Sequence, residues 1–168
     1  MKRSSFPDPY REVIDRFNQC GVRYVVVGMA GINYYARDAR ETFGTLDYDV
    51  FLDPTLKNVQ KAVEVLKTLG FDLATQAGPL RVSGLGEMVR SQQTLMATTP
   101  YGILIELLLR VSGYPYTELA QDAATFTAQG VPIRVGRLKK LLRSKYLAGR
   151  PKDRQFLRRY QLLLKKKT

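Results

Sequence analysis

With 168 residues, 45% of them hydrophobic, the chain has the composition of one globular domain, and no apolar run approaches the roughly 18 residues that a membrane span requires. It contains no histidine, which excludes a histidine general base, a Ser-His-Asp triad and a histidine-ligated zinc site, and its one cysteine, Cys20, excludes an internal disulfide. The net charge of +12 is confined: residues 1–136 carry 14 basic and 14 acidic side chains, whereas residues 137–168 carry 13 basic ones and the single acid Asp153, a balance that fits either a solvated helical tail or a face that draws polyanions such as nucleoside triphosphates or RNA.

Met1 to Pro7 lacks the apolar centre of a signal peptide, so the expected location is cytoplasmic. A first amphipathic helix is predicted from Asp8 or Pro9 through Cys20, with Val13, Ile14 and Phe17 at helical spacing and Gly21 as terminator. Val22 to Val27 reads as a buried strand ending at Gly28. Gly28 to Gly31 is then a tight turn, followed by a short helix over Ile32 to Arg37 and a loop over Asp38 to Gly44. Leu46 to Leu52 forms the next strand.

Asp53 is the expected cap and Pro54 the first residue of a helix whose Val59, Ala62, Val63, Leu66 and Leu69 share a face before Gly70 stops it. Short strands are expected near Leu80 to Ser83 and Thr94 to Ala97, around a loop at Gly84 to Gly86. Ile103 to Leu109 is an interior strand interrupted by one charge, Glu106, and Gly130 to Val135 an edge strand because of Pro132. Two basic helices, Leu138 to Leu147 and Lys152 to Leu164, follow, joined by Gly149-Arg150-Pro151. The alternation predicts an α/β (α+β) fold in one domain, 1–168: a small mixed sheet with flanking helices and a basic helical pair at 137–168.

Three features carry chemistry. In a strand, Asp47 and Asp49 point to one face, and two carboxylates that close stay ionised together when a cation sits between them. Mg²⁺ suits such a pair, because it takes one or two protein carboxylates and fills its octahedron with water and substrate phosphates. Taken alone, an Asp-x-Asp also fits a solvated strand edge. Glu106, within the run Ile103 to Leu109, is a charge that protonates, reaches solvent at a strand end or finds a cation. An arginine such as Arg110, Arg40 or Arg37 can supply it, or a metal shared with Asp47 and Asp49. At the glycine turn, Gly28 to Gly31, backbone N–H groups opening a helix favour phosphate.

This order of motifs resembles the nucleotidyltransferase superfamily: a strand ending at Gly28, the Asp-x-Asp strand Thr45 to Val50, then a carboxylate in Ile105-Glu106-Leu107. The tail from Leu141 to Asp153 looks like the closing segment of a small bacterial branch that includes toxin-type members similar to AbiEii nucleotidyltransferases. The resemblance spans roughly residues 20–160.

It implies Mg²⁺-dependent transfer of a nucleoside monophosphate from a nucleoside triphosphate such as ATP to an acceptor, with release of pyrophosphate. Asp47, Asp49 and Glu106 would be the catalytic metal ligands for two Mg²⁺ ions. Gly28, Met29, Arg40, Thr45, Lys145, Arg150 and Lys152 are candidates to contact the nucleotide or acceptor. Acceptor and partner expectations are tRNA or another RNA, a protein hydroxyl or a small molecule, and a cognate antitoxin protein, with no membrane. Two departures stand out: Met29 where the family turn has Gly or Ser, and Glu106 where aspartate is more usual. They support an alternative: a catalytically degenerate member that binds nucleic acid or protein through its basic C-terminus. Asp153 is expected to pair with a neighbouring cation or cap the last helix, and Tyr34, Tyr35 and Tyr48 to pack in the core.

Overall fold

The computed structural model describes residues 10–38, 41–44 and 47–165, with side chains as far as Leu162. In chain order the elements are α1 (Arg11–Cys20), β1 (Tyr24–Val27), α2 (Gly28–Asn33), β2 (Tyr48–Leu52), α3 (Leu56–Thr68), β3 (Asp72–Thr75), β4 (Gly78–Pro79), a 3₁₀ turn at Val82–Gly84, α4 (Leu85–Arg90), β5 (Leu95–Thr98) and β6 (Leu104–Leu108). Then follow α5 (Tyr116–Gln121), β7 (Ala124–Ala128), β8 (Val131–Val135), α6 (Leu138–Ala148) and α7 (Pro151–Lys165).

The eight strands form one mixed sheet in the order β4-β3-β5-β6-β2-β1-β8-β7. β1 runs antiparallel to β2, with Val27 opposite Asp49, and β6 lies parallel to β2, with Glu106 opposite Asp49. Since side chains opposite one another share a face, the register divides the sheet cleanly. Tyr48, Val50 and Leu52 line one side with Tyr24, against α1: Tyr10 stacks on Tyr48 at 4.2 Å and Phe17 meets Tyr24 at 5.9 Å. Val25, Val27, Asp49, Phe51, Glu106 and Leu108 line the other, where Tyr116 of α5 packs on Phe51. β6 shows the difference: Ile105 and Leu107 are buried, while Leu104, Glu106 and Leu108 are half-buried.

Several expectations are corrected. α2 begins at Gly28 itself, so the glycine segment opens the helix rather than preceding one at Ile32. Asp53 does not cap α3: Thr55 does, accepting from Asn58 N–H, while Asp53 bridges Arg23 at 2.6 Å. Leu80 to Ser83 is no strand, and Gly84 to Gly86 runs from the 3₁₀ turn into α4. β8 is not an edge: it pairs with β7 along its length but meets β1 at one register pair, Val26–Val135. Pro132 is tolerated because its stretch faces side chains instead of a β1 ladder, its carbonyl accepting from Asn18 Nδ2 at 2.8 Å. The tyrosines do pack in the core, Tyr34 and Tyr48 sharing a hydroxyl hydrogen bond of 2.7 Å. No helix among the described residues is long and apolar enough to cross a membrane.

Candidate active site

Gly28 sits where β1 becomes α2, with φ +65°, a left-handed conformation that glycine adopts without penalty. A second reason makes the residue obligatory: a Cβ here would run into the Asp49 carboxylate. That acid therefore rests directly on the glycine backbone. Met29, where the resemblance implies Gly or Ser, is half-buried and packs against the core.

Asp49 is the strained member of the acidic group. Burial is the largest cause, followed by the charges of Glu106 and Asp47, and together they push its carboxyl from 3.8 up to about 7, while Lys145 pulls the other way. Its Oδ1 is buried without a hydrogen-bond partner. Such an orphan in a low-dielectric site is unfavourable unless a proton or cation arrives. Asp47 lies one residue before β2, half-buried, and contributes charge from the mouth of the strand. Among the described residues no ion pair joins Glu106 to an arginine or lysine.

The fit to a divalent cation follows from these facts. Among the described residues no group of three acidic side chains is arranged to hold a metal ion, so the three-carboxylate cage expected from sequence is not built as such. The adjacent pair Asp49 and Glu106, with an unpartnered oxygen and mutual repulsion, is what Mg²⁺ binding through one or two carboxylates needs, the rest of the shell being water and phosphate.

A cavity of about 370 Å³ opens beside Asp49, walled by Val27, Gly28, Leu108, Leu119, Leu141 and the cationic pair Lys145 and Arg150. The basic C-terminal segment thus folds back over the acidic sheet face. α6 carries Lys145 there because Leu141, buried, seats between Gly31 of α2 and Gly136, both too close to Leu141 for a Cβ to fit comfortably. Gly149, at φ +62°, ends α6 and turns the chain into α7.

Asp153, 1% exposed, fixes both cations: it accepts from Arg150 Nε at 2.7 Å and from Lys145 Nζ at 3.4 Å. It also caps α7 by accepting from Arg150 N–H at 3.3 Å, so it fills both roles expected of it. Burial alone would raise the Asp153 carboxyl, but the hydrogen bonds and charges of Arg150 and Lys145 outweigh it and hold it below the usual carboxylate range. The Arg150 guanidinium is held above its ordinary value, first by its hydrogen bond to Asp153 and further by the charges of Asp153, Asp49 and Glu106.

Of the sequence candidates, Gly28, Asp49, Lys145 and Arg150 meet at one cavity, with Glu106 in register beside Asp49. Lys152 is exposed and is not part of that wall. Arg40 and Thr45 lie outside the described residues. Sequence reasoning missed Thr94, Ser112 and Ser144 and did not place Arg110 on the wall, all of which line it. Arg110 had a signal, as a cation four residues from Glu106; the serines and threonine carry no charge to mark them.

No family model matches the sequence, and no curated protein matches it. Among solved structures, the crystal structure of ANT(2″)-Ia in complex with adenylyl-2″-tobramycin, an aminoglycoside nucleotidyltransferase, is similar with a TM-score of 0.55. The likeness covers 94% of this chain and 86% of that one at 14% identity. The fold is therefore nucleotidyltransferase-like, a mixed α+β structure with an eight-stranded mixed sheet.

Proposed function

We propose that this chain is a nucleotidyltransferase, moving a nucleoside monophosphate from a nucleoside triphosphate to an acceptor hydroxyl. The observation that carries the reading is Asp49: a carboxylate raised to about 7, one oxygen unpartnered, in register with Glu106 and facing a cationic cavity. In the reaction, the acceptor oxygen bonds to the α-phosphorus while the bond to the bridging oxygen breaks. Pyrophosphate leaves with that electron pair, and the hydroxyl proton passes to a carboxylate or to water.

Asp49 and Glu106, with Asp47 at the mouth, would hold Mg²⁺, whose role when bound is to neutralise phosphate charge and activate the attacking oxygen. Lys145 and Arg150 supply positive charge for the triphosphate and are kept extended toward it by Asp153. Gly28 leaves backbone at the cavity wall where a Cβ would collide with the Asp49 carboxylate. Little covalent work falls to the protein in phosphoryl transfer, so placement and charge dominate.

The likeness of the tail to toxin-type members extends the proposal to a cytoplasmic toxin with a protein antitoxin, tested by growth arrest on expression and its relief by Asp49→Asn. For the chemistry itself, Asp47→Asn with Asp49→Asn should abolish Mg²⁺-dependent binding of a nucleoside triphosphate by calorimetry. Equal affinity in the double variant and the parent would refute the metal role.

A further inference from the structure

Among the described residues of α6 and α7, every exposed charge is positive. Ordinary solvated helices intersperse both signs. Here the one acid, Asp153, is buried and already committed to Lys145 and Arg150. Lys140 is satisfied by Asp122 at 2.9 Å, and Arg159 lies over the Phe43 ring at 5.9 Å. Lys139, Arg143, Lys152 and Arg158 have no acidic partner among the described residues. Lys139 and Arg143 stand four apart on α6, as Arg154 and Arg158 do on α7, so like charges repel along each helix. The first turn of α6 has no acid to offset its positive end. A polyanion relieves all of these at once.

Large apolar groups are interleaved with the cations. Tyr146 is 73% exposed and shares the stripe of Lys139 and Arg143, while Leu162 on α7 is 60% exposed. Leu141, Ser144, Lys145 and Ala148 occupy the opposite, cavity side of α6. The two sides meet at the Gly149–Pro151 corner, where the Arg150 side chain is 57% exposed and also lines the cavity. A second tyrosine, Tyr101, is 90% exposed in the β5–β6 connection, at the end of the sheet from which β6 reaches Glu106. Exposed aromatic rings among cations suit unstacked bases on a charged backbone.

We propose that the outer face and corner of the α6–α7 pair bind a single-stranded polynucleotide, and that this strand is the acceptor of the transfer proposed above, on which reading the acceptor role rests. A hydroxyl oxygen of the strand bonds to the α-phosphorus, pyrophosphate departs with the electrons of the broken P–O bond, and the hydroxyl proton goes to the carboxylate pair or to water. Stacking makes the surface tolerant of base sequence.

The test is fluorescence anisotropy of a labelled mixed-sequence RNA oligonucleotide, its DNA counterpart and a DNA duplex, titrated with the full chain over a salt series. Single strands should bind more tightly than duplex, with affinity falling steeply as salt rises. K139Q/R143Q/R158Q should reduce the log–log salt slope by about 2, at about 0.7 per single-strand phosphate contact, and weaken binding at least about tenfold near 0.1 M salt. Tyr146→Ser should weaken it about tenfold with the slope unchanged.

K57Q/K67Q/R81Q removes the same charge elsewhere and should change affinity less than about twofold. An equal loss in that control, no effect of Tyr146→Ser, or a preference for duplex each overturns the surface. With Mg²⁺ and labelled nucleoside triphosphates, label should appear on RNA or DNA, whichever is the natural strand. Label on tobramycin or protein but not on either strand overturns the acceptor role. A chain that labels another acceptor and binds no strand overturns this inference alone. One that binds strands as described yet labels nothing supports the surface and overturns the acceptor role together with the transferase reading.

Discussion

At Asp49 the balance of forces sets a pH-dependent stability that has the opposite sign to that of an ordinary ion-paired aspartate. With its folded value raised to about 7 from 3.8, the folded chain keeps a proton that the unfolded chain releases. Stability therefore falls as pH rises from about 4 to about 7 and is flat above. Over about three pH units at about 1.4 kcal/mol each, the loss is on the order of 4 kcal/mol. Asp49→Asn should then stabilise the metal-free protein by a few kcal/mol at pH 8 and change little near pH 4. Mg²⁺ should raise the melting temperature of the parent at pH 8, much less at pH 5, and not at all in the variant. Thermal melts at both pH values check this, and a Mg²⁺ shift that ignores pH would contradict it. Gly28→Ala, forced into φ +65° and against the Asp49 carboxylate, should cost roughly 1–3 kcal/mol in urea denaturation from the backbone alone and weaken Mg²⁺-dependent nucleotide binding.

Among the elements, α3 offers the sharpest test of where a helix begins. Thr55→Ala removes the hydroxyl that accepts from Asn58 N–H and should cost about 1 kcal/mol. Asp53→Ala removes a salt bridge whose arginine is mostly exposed and should cost less, about 0–1 kcal/mol. Chemical denaturation of the two variants ranks them, and the reverse order would return the cap to Asp53.

The same contrast explains what the sequence made readable. Strands with continuous β-branched or leucine-rich runs, β1 and β6, announce themselves, and so does a lone Glu106 inside one. The two-residue β4 and the six-residue α4 and α5 are too short for periodicity to declare them, and their form comes from packing. Pro132 pointed to an edge because proline lacks a ladder donor. The fold meets that same requirement by pairing β8 with β1 at one position and handing the Pro132 carbonyl to Asn18.

Across the whole molecule, the charge imbalance was visible in the sequence, but its division of labour was not. Which of 13 cations faces the acids depends on where Gly149 turns the chain, and Lys145 and Arg150 are selected by Asp153. Asp153→Ala would strand Lys145 inside a mostly buried pocket, and one-partner removal of this kind costs about 3–5 kcal/mol. Because the Asp153 carboxyl is held below its usual range, its contribution is present above about pH 4 and disappears as pH falls through the lowered value. The variant should melt well below the parent at pH 7, with the gap closing in acid. A constant gap across that window would assign Asp153 a packing role instead.

The seat of Leu141 between Gly31 and Gly136 gives this arrangement a remote adjustment point. Neither glycine is among the residues that wall the cavity, yet a methyl added at either would lever α6 outward and carry Lys145 from the acids it opposes. The turnover proposed for this site would then drop through a change in leverage, with the carboxylates, glycine corner and salt link all chemically intact.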